Sequence, residues 1–244
     1  MESGHRSIGV SELDSVLGGV PEGFMILVYG SPGSGTELFA KQFAAAGVGK
    51  ENVIYFTTNE RDEDVKKTME HFGWDPNINI VNIGGEYYEK VLAREVEISR
   101  YRQEGVTIRD LKRLREQDIS KGVNFLTKVT YEISKLKPPF RVIIDSLDFF
   151  LEYYDPQQVM SALRTIKAHS QHQRGVVMVT MLKGVHEPKT ESGVEEVVDS
   201  IIELEKQRKD KEFRYFLIIQ KVRNHPEKLG IMEYSVTGRG ITPK

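Results

Sequence analysis

Hydrophobic positions along the chain follow two rhythms. Short apolar runs bounded by glycine, proline or polar residues have the length and continuity of strands buried on both faces. They are Phe24-Met25-Ile26-Leu27-Val28-Tyr29, Val53 to Thr57, Ile78 to Ile83, Arg141 to Asp145 and Val176 to Thr180. Between them the spacing becomes helical. Thr36 to Ala46 places Leu38, Phe39, Phe43 and Ala44 on one face, and Arg61 to Phe72 reads as a second helix. Asp118 is positioned to cap a third, running to Lys137 with Ile119, Val123, Leu126, Ile133 and Leu136 at helical spacing. Pro138-Pro139 ends it, and Pro156 opens a fourth that runs to about His172. After a polar loop, Ile201 to Leu204, Tyr215 to Gln220 and Ile231 to Val236 read as strands. The last two are placed to form a hairpin around Asn224-His225-Pro226-Glu227-Lys228.

Alternating strands and helices predict an α/β fold with a mostly parallel central sheet flanked by helices and an antiparallel C-terminal extension. Residues 84–117 have weak periodicity and read as a variable insertion. No repeat, linker or low-complexity tract divides the 244 residues, so one domain over 1–244 is expected.

Composition narrows the classes. Hydrophobic residues make up 39% and charged residues 29%, the balance of a soluble globular protein. A net charge of −2 argues against a domain built wholesale to coat nucleic acid. The absence of cysteine excludes disulfides, thiolate zinc sites and cysteine nucleophiles, and fits a cytoplasmic protein. No apolar run approaches the ~18 residues of a membrane span, and the N-terminus has no signal-peptide pattern.

The candidate chemistry lies after the first long strand. Gly30-Ser31-Pro32-Gly33-Ser34-Gly35 joins a strand to a helix with the glycine spacing of the phosphate loop G-x-x-x-x-G-K-[ST]. Backbone N–H groups at such a helix start point at an anion, and the helix dipole favours it. The lysine and hydroxyl positions of the motif hold Thr36 and Glu37 instead. Thr36 is uncharged and too short to reach a terminal phosphate. Glu37 puts a carboxylate where a magnesium-ligating hydroxyl belongs. Each unit of charge at ~4 Å is worth about 4 kcal/mol at an effective dielectric of ~20, so the change weakens nucleotide binding, while a carboxylate retains the ability to hold Mg²⁺. The loop taken alone fits either a phosphate nest or a plain strand–turn–helix corner.

Five blocks carry a family resemblance. Gly9-Val10-Ser11-Glu12-Leu13-Asp14-Ser15-Val16-Leu17-Gly18-Gly19-Val20-Pro21-Glu22-Gly23 resembles the lead-in segment of KaiC/RadA-like ATPases of the RecA superfamily. Val53 through Gly73-Trp74-Asp75 resembles that family's second strand and following helix. Arg141-Val142-Ile143-Ile144-Asp145-Ser146-Leu147 resembles its Walker B strand. Gly193 to Ile202 resembles its G-V-E-E-L-A-D-G-V-I block. Ile219 to Asn224 and Tyr234 to Ile241 resemble its K-M-R-G and terminal I-T-x-x-G-I patterns. The resemblance implies a RecA-like P-loop fold, with ATP and Mg²⁺ as the family's cofactors.

Carried over residue by residue, the resemblance makes Asp145 the Walker B carboxylate that holds the Mg²⁺ water shell. Asn59 stands at the place of the family's general base and cannot take a proton from an attacking water; Glu60 keeps the second carboxylate, or simply complements the dipole of the helix after it. Lys221 and Arg223 match the pair that reaches a neighbour's γ-phosphate, or else lie on an exposed strand face. Phosphoryl transfer depends on positioning and charge, so these departures point to a pseudo-ATPase acting as a regulatory or assembly subunit, with a protein partner or in a homo-oligomer of RecA type. The alternatives are an atypical ATP-binding protein with slow hydrolysis, using Glu37 and Asp145 for metal and Lys183 for the missing cation, and a DNA-binding repair accessory. The DNA reading draws on Arg100, Arg102, Arg109, Lys112, Arg113 and Arg115, a run equally suited to a solvated helix face. The aromatic run Phe149-Phe150-Leu151-Glu152-Tyr153-Tyr154 reads more simply as packing or a protein interface than as a base-stacking loop. His186 and Glu187 lack a second, suitably placed histidine for a metal site.

Overall fold

A computed structural model describes residues 4–93, 96, 99 and 124–244. Eleven strands are present among them. β1 (His5–Arg6) and β2 (Val20–Pro21) form a small antiparallel pair. The other nine are β3 (Met25–Gly30), β4 (Asn52–Thr57), β5 (Asn79–Asn82), β6 (Phe140–Asp145), β7 (Val176–Leu182), β8 (Ser200–Lys209), β9 (Glu212–Val222), β10 (Gly230–Thr237) and β11 (Gly240–Pro243). They build one sheet in the order β11-β10-β9-β8-β3-β7-β6-β4-β5. From β8 to β5 all pairings are parallel; β8-β9, β9-β10 and β10-β11 are antiparallel. The expected sheet, and the hairpin between the strands at 215–220 and 231–236, are both found.

Helices cover the parallel part on two sides. α1 (Ser11–Leu17), α2 (Thr36–Ala45) and α3 (Asp62–His71) bury Leu13, Phe39, Phe43, Val65 and Met69 against one face. α5 (Phe125–Ser134), α6 (Asp148–Tyr153), α7 (Pro156–Gln173) and α8 (Pro188–Val197) bury Phe125, Val129, Leu163 and Val194 against the other. The short α4 (Ile83–Tyr87) runs on into a π-helical turn at Tyr88–Leu92. Alternate residues of one strand feed opposite layers: Met25 and Leu27 join the second core, Ile26 and Val28 the first. That two-sided burial produces the unbroken apolar runs of the sequence.

The third predicted helix is shorter than expected. It starts at Phe125, capped by the Asn124 carboxamide oxygen, which accepts from Thr127 N at 3.0 Å; Asp118 lies outside the described residues. Periodicity alone also left α1, α8 and β11 unpredicted. The run from Phe149 buries Phe149, Phe150 and Leu151 in α6, so it is packing.

Two buried ion pairs tie distant segments together. Arg141 on β6 is fully buried; its guanidinium donates to both Glu51 oxygens (2.8 and 3.1 Å) and to Phe43 O (2.6 Å), and lies 4.1 Å from the Phe43 ring centre. Asp199, just before β8, is 1% exposed, accepts from Met25 N (3.0 Å) and Lys167 Nζ (2.8 Å), and forms an ion pair with Arg223 Nε at 2.9 Å.

Removing one member of such a pair strands a buried charge. Arg141→Met should lower stability by about 3–5 kcal/mol in a urea melt, and adding Glu51→Leu should recover part of that loss. Asp199→Leu, which leaves the Lys167 ammonium only the Val197 carbonyl at 2.6 Å, should cost a similar amount, about 3–5 kcal/mol, read by the same melt.

Candidate functional site

The phosphate-loop sequence occupies the position that open α/β sheets reserve for ligands, the carboxyl ends of the parallel strands. It leaves β3 at Gly30 and enters α2 at Thr36. Ser34 N donates to Ser31 O at 3.0 Å, closing the turn. Gly30 is pressed against β8, where a Cβ would sit 2.2 Å from Leu204 O, and Gly35 has φ +93°, a region that side chains rarely adopt. The loop is also held from outside. The Tyr234 hydroxyl on β10 donates to Ser34 O, and Lys183 N after β7 donates to Gly30 O at 3.0 Å.

The lead-in segment and the chain's end both converge on α2. Gln42 Nε2 donates to Gly9 O (2.8 Å) and Ile241 O (3.2 Å), and its carbonyl accepts from Ile241 N (2.8 Å). Asp14 closes the lead-in turn by accepting from Ile8 N (2.7 Å) and Ser7 Oγ (2.5 Å). The lead-in block, the loop and the terminal block are thus neighbours around one helix.

Beside the loop is a cavity of about 260 Å³. Glu37 reaches it from α2, Asn59 and Glu60 from the turn after β4, Asp145 and Ser146 from the end of β6, and Asp148 from α6. The expected site residues Thr36, Glu37, Asn59, Glu60 and Asp145 therefore meet. Asp148, Thr57 and Thr180 also line the cavity and were not singled out from the sequence; Asp148 follows the Walker B strand by three residues, which was the available signal.

The carboxylates already have partners. Asp145 Oδ2 accepts from the Tyr55 hydroxyl at 2.5 Å, and Oδ1 from Thr180 Oγ1 at 2.6 Å. Burial, and then the adjacent Asp145 charge, push the Tyr55 phenol well above its usual range, so Tyr55 stays a donor. Glu60 is bound by Lys41 Nζ at 2.7 Å, an ammonium 1% exposed that also donates to Glu37 O at 3.3 Å. Asp148 accepts from Leu182 N and contacts His186 Nε2 at 2.7 Å. Four carboxylates line the cavity with no lysine or arginine among its walls.

The cations considered from the sequence lie elsewhere. Lys183 is paired with Glu203. Lys221 and Arg223 are separated from their own chain's loop: Lys221 pairs with Ile201, three residues before Leu204, the partner of Gly30. That is about 10 Å along the sheet. Lys221 Nζ donates to Glu195 O (2.6 Å) and Val198 O (2.7 Å), and Arg223 is held by Asp199. Burial, with Lys167 and Arg223 nearby, lowers the Lys221 pKa. The Lys206 ammonium of β8 lies beside the loop, 3.5 Å from where a Cβ on Gly33 would sit. The basic run from Arg100 to Arg115 lies outside the described residues. No described helix is long and apolar enough to cross a membrane.

The family's metal and nucleotide fit this site only in part. The loop backbone suits a phosphate. The side chains do not suit a terminal phosphate, since the cavity offers carboxylates and no lysine or arginine; the same carboxylates are of a kind that can hold Mg²⁺.

Comparison with known proteins places the architecture. The family model described as "ATPase: KaiC" matches residues 6–242. A UPF0273 protein of Thermotoga maritima is 30% identical over 251 residues, covering 96% of this chain and 93% of its own length. The circadian clock oscillator protein KaiC of Parathermosynechococcus lividus is 30% identical over 97% of this chain, which spans only 41% of that protein. Among solved structures, a KaiC-like protein of Pyrococcus horikoshii superposes with a TM-score of 0.66 at 20% identity, over 98% of both chains. A strand, loop and helix in the P-loop arrangement, an acid-ended neighbouring strand and a match over nearly the whole length lead to one assignment: this chain belongs to the KaiC family of RecA-like ATPase domains.

Proposed function

We propose that this chain is a KaiC-family domain that does not hydrolyse ATP and serves as a regulatory or assembly subunit. One observation carries the reading: between the glycine loop and Asp145 the cavity is walled by Glu37, Glu60, Asp145 and Asp148 and by no lysine or arginine. Phosphoryl transfer needs positive charge on the transferred group and a base or positioning residue for the attacking water. Here Thr36 and Glu37 follow the loop, Asn59 stands at the base position, and the buried Lys41 is held by Glu60.

The partner in this reading is a second copy or a related chain assembled in RecA fashion. Lys221 and Arg223 would serve such a neighbour's site. Their distance from their own loop supports action across an interface, and the Arg223 side chain is 42% exposed. Releasing Arg223 leaves Asp199 bound to Lys167, so the core tie survives the exchange.

A second reading, an atypical nucleotide-binding protein, is favoured by Lys206, whose ammonium stands against Gly33. Calorimetric titration separates the two. The purified chain should show no saturable Mg²⁺-dependent ATP binding at millimolar nucleotide and no turnover. The Thr36→Lys, Glu37→Thr double variant should gain at least about tenfold in ATP affinity, equivalent to about 1.4 kcal/mol. Mg²⁺-dependent binding by the unaltered chain, lost on Lys206→Ala, would establish the second reading instead.

A further inference from the structure

We propose that the β8–β9 hairpin docks single-stranded nucleic acid on the face that carries Lys206, Arg208 and Phe213. The inference goes beyond the assembly role and does not depend on whether MgATP binds.

Three observations carry it. First, the charge of the hairpin opposes that of the chain. Between Lys206 and Arg214 there are five basic and two acidic residues, a local net charge of +3 in a chain of −2. Lys206, Arg208, Lys209, Lys211 and Arg214 form no ion pair among the described residues, and all but Lys206 are exposed. Elsewhere Lys41, Arg141 and Lys167 are each met by a carboxylate. Unpaired cations gathered on one hairpin are the electrostatic footprint of a polyanionic partner.

Second, strand register sorts the charges. Lys206 is opposite Tyr215 and Arg208 is opposite Phe213, on the face that continues outward from the buried pair Leu204 and Leu217. Residues directly opposite each other share a face, so these four lie together. Glu205 and Glu212 are opposite Phe216 and Lys209, one residue out of step, and fall on the other face. Beyond Leu204 and Leu217, one face of the two strands therefore carries cations and aromatic rings without a carboxylate. The β10–β11 turn lies at the same end of the sheet and adds the exposed Arg239.

Third, Phe213 belongs to neither core and is 54% exposed. Lys206 Nζ lies 4.3 Å from its ring centre, a cation–π contact that keeps ring and ammonium together. Cations hold phosphates, and an exposed ring stacks on an unpaired base. A duplex keeps its bases stacked on one another, and an acidic protein segment has no base, so neither uses the ring in this way. The contacts are to phosphates and base faces, which DNA and RNA share.

The test is fluorescence anisotropy of a labelled oligothymidylate of about 20 nucleotides, longer than the ~4–16 that one compact module covers, titrated with the full chain. A duplex of the same length and polyglutamate are the comparators. Saturable binding is expected, at least about tenfold tighter than to either comparator. Salt should weaken it, with log K falling against log salt at a slope of about −2, as about three phosphate contacts on a single strand require. Arg208→Ala should make that slope shallower by about 0.7. Phe213→Ala should weaken binding at least about fivefold and leave the slope unchanged. Both positions are exposed and outside the two cores, so the melting temperature should hold in both variants. No saturable binding, equal affinity for the duplex or polyglutamate, or full affinity in both variants would overturn the proposal. Displacement by MgATP would put the strand on the glycine loop and overturn it as well.

Discussion

Asp199 holds the frame on which the site is built. Its carboxylate is buried where β8 begins and binds the first residue of β3, an ammonium from α7 and a guanidinium from the end of β9. The backbone completes the joint: Asp199 N donates to Met25 O and Arg223 N donates to Asp199 O. β3 carries the glycine loop at its other end, so this joint sets the height of the loop relative to every neighbouring strand. Charged groups suit the role because hydrogen bonds to an ionised carboxylate are short and directional. A hydrophobic contact would allow sliding along the strand.

A second set of ties closes round α2. Gln42 bridges Gly9 and Ile241, residues near opposite ends of the sequence, while Tyr234 holds the loop at Ser34. The match to the KaiC family thereby acquires a physical meaning. The lead-in glycines, the loop and the terminal strand are far apart in the chain and adjacent around one helix start.

The electrostatics of the site combine a phosphate-type backbone loop with acidic side chains. A phosphate loop works by gathering positive potential, from N–H groups, a helix dipole and a lysine. This chain retains the first two and surrounds the adjoining cavity with acid. Lys41, one turn along α2, is neutralised by Glu60, so its charge is spent inside the wall.

The sequence by itself determined the class of fold, the strand-loop-helix corner and the presence of Thr36 and Glu37 where the phosphate-loop motif has lysine and a hydroxyl residue. Continuous apolar runs report burial on both faces, and glycine spacing reports a backbone shape; both are local properties. The ends of the parallel strands were legible for the same reason, down to Asp145. Strand order, with β7 between β3 and β6, came only from the tertiary structure, as did the internal use of Lys221, Arg223 and Lys183. Periodicity also missed α8, which packs against α7, and β11, which pairs with β10 and packs against α2; what holds them is not encoded in their own pattern. The gathering of Asp148 with Glu37, Glu60 and Asp145 joins residues up to 111 positions apart. No local pattern encodes such a meeting, because the charges of a cavity are summed over whatever segments the fold brings to its walls.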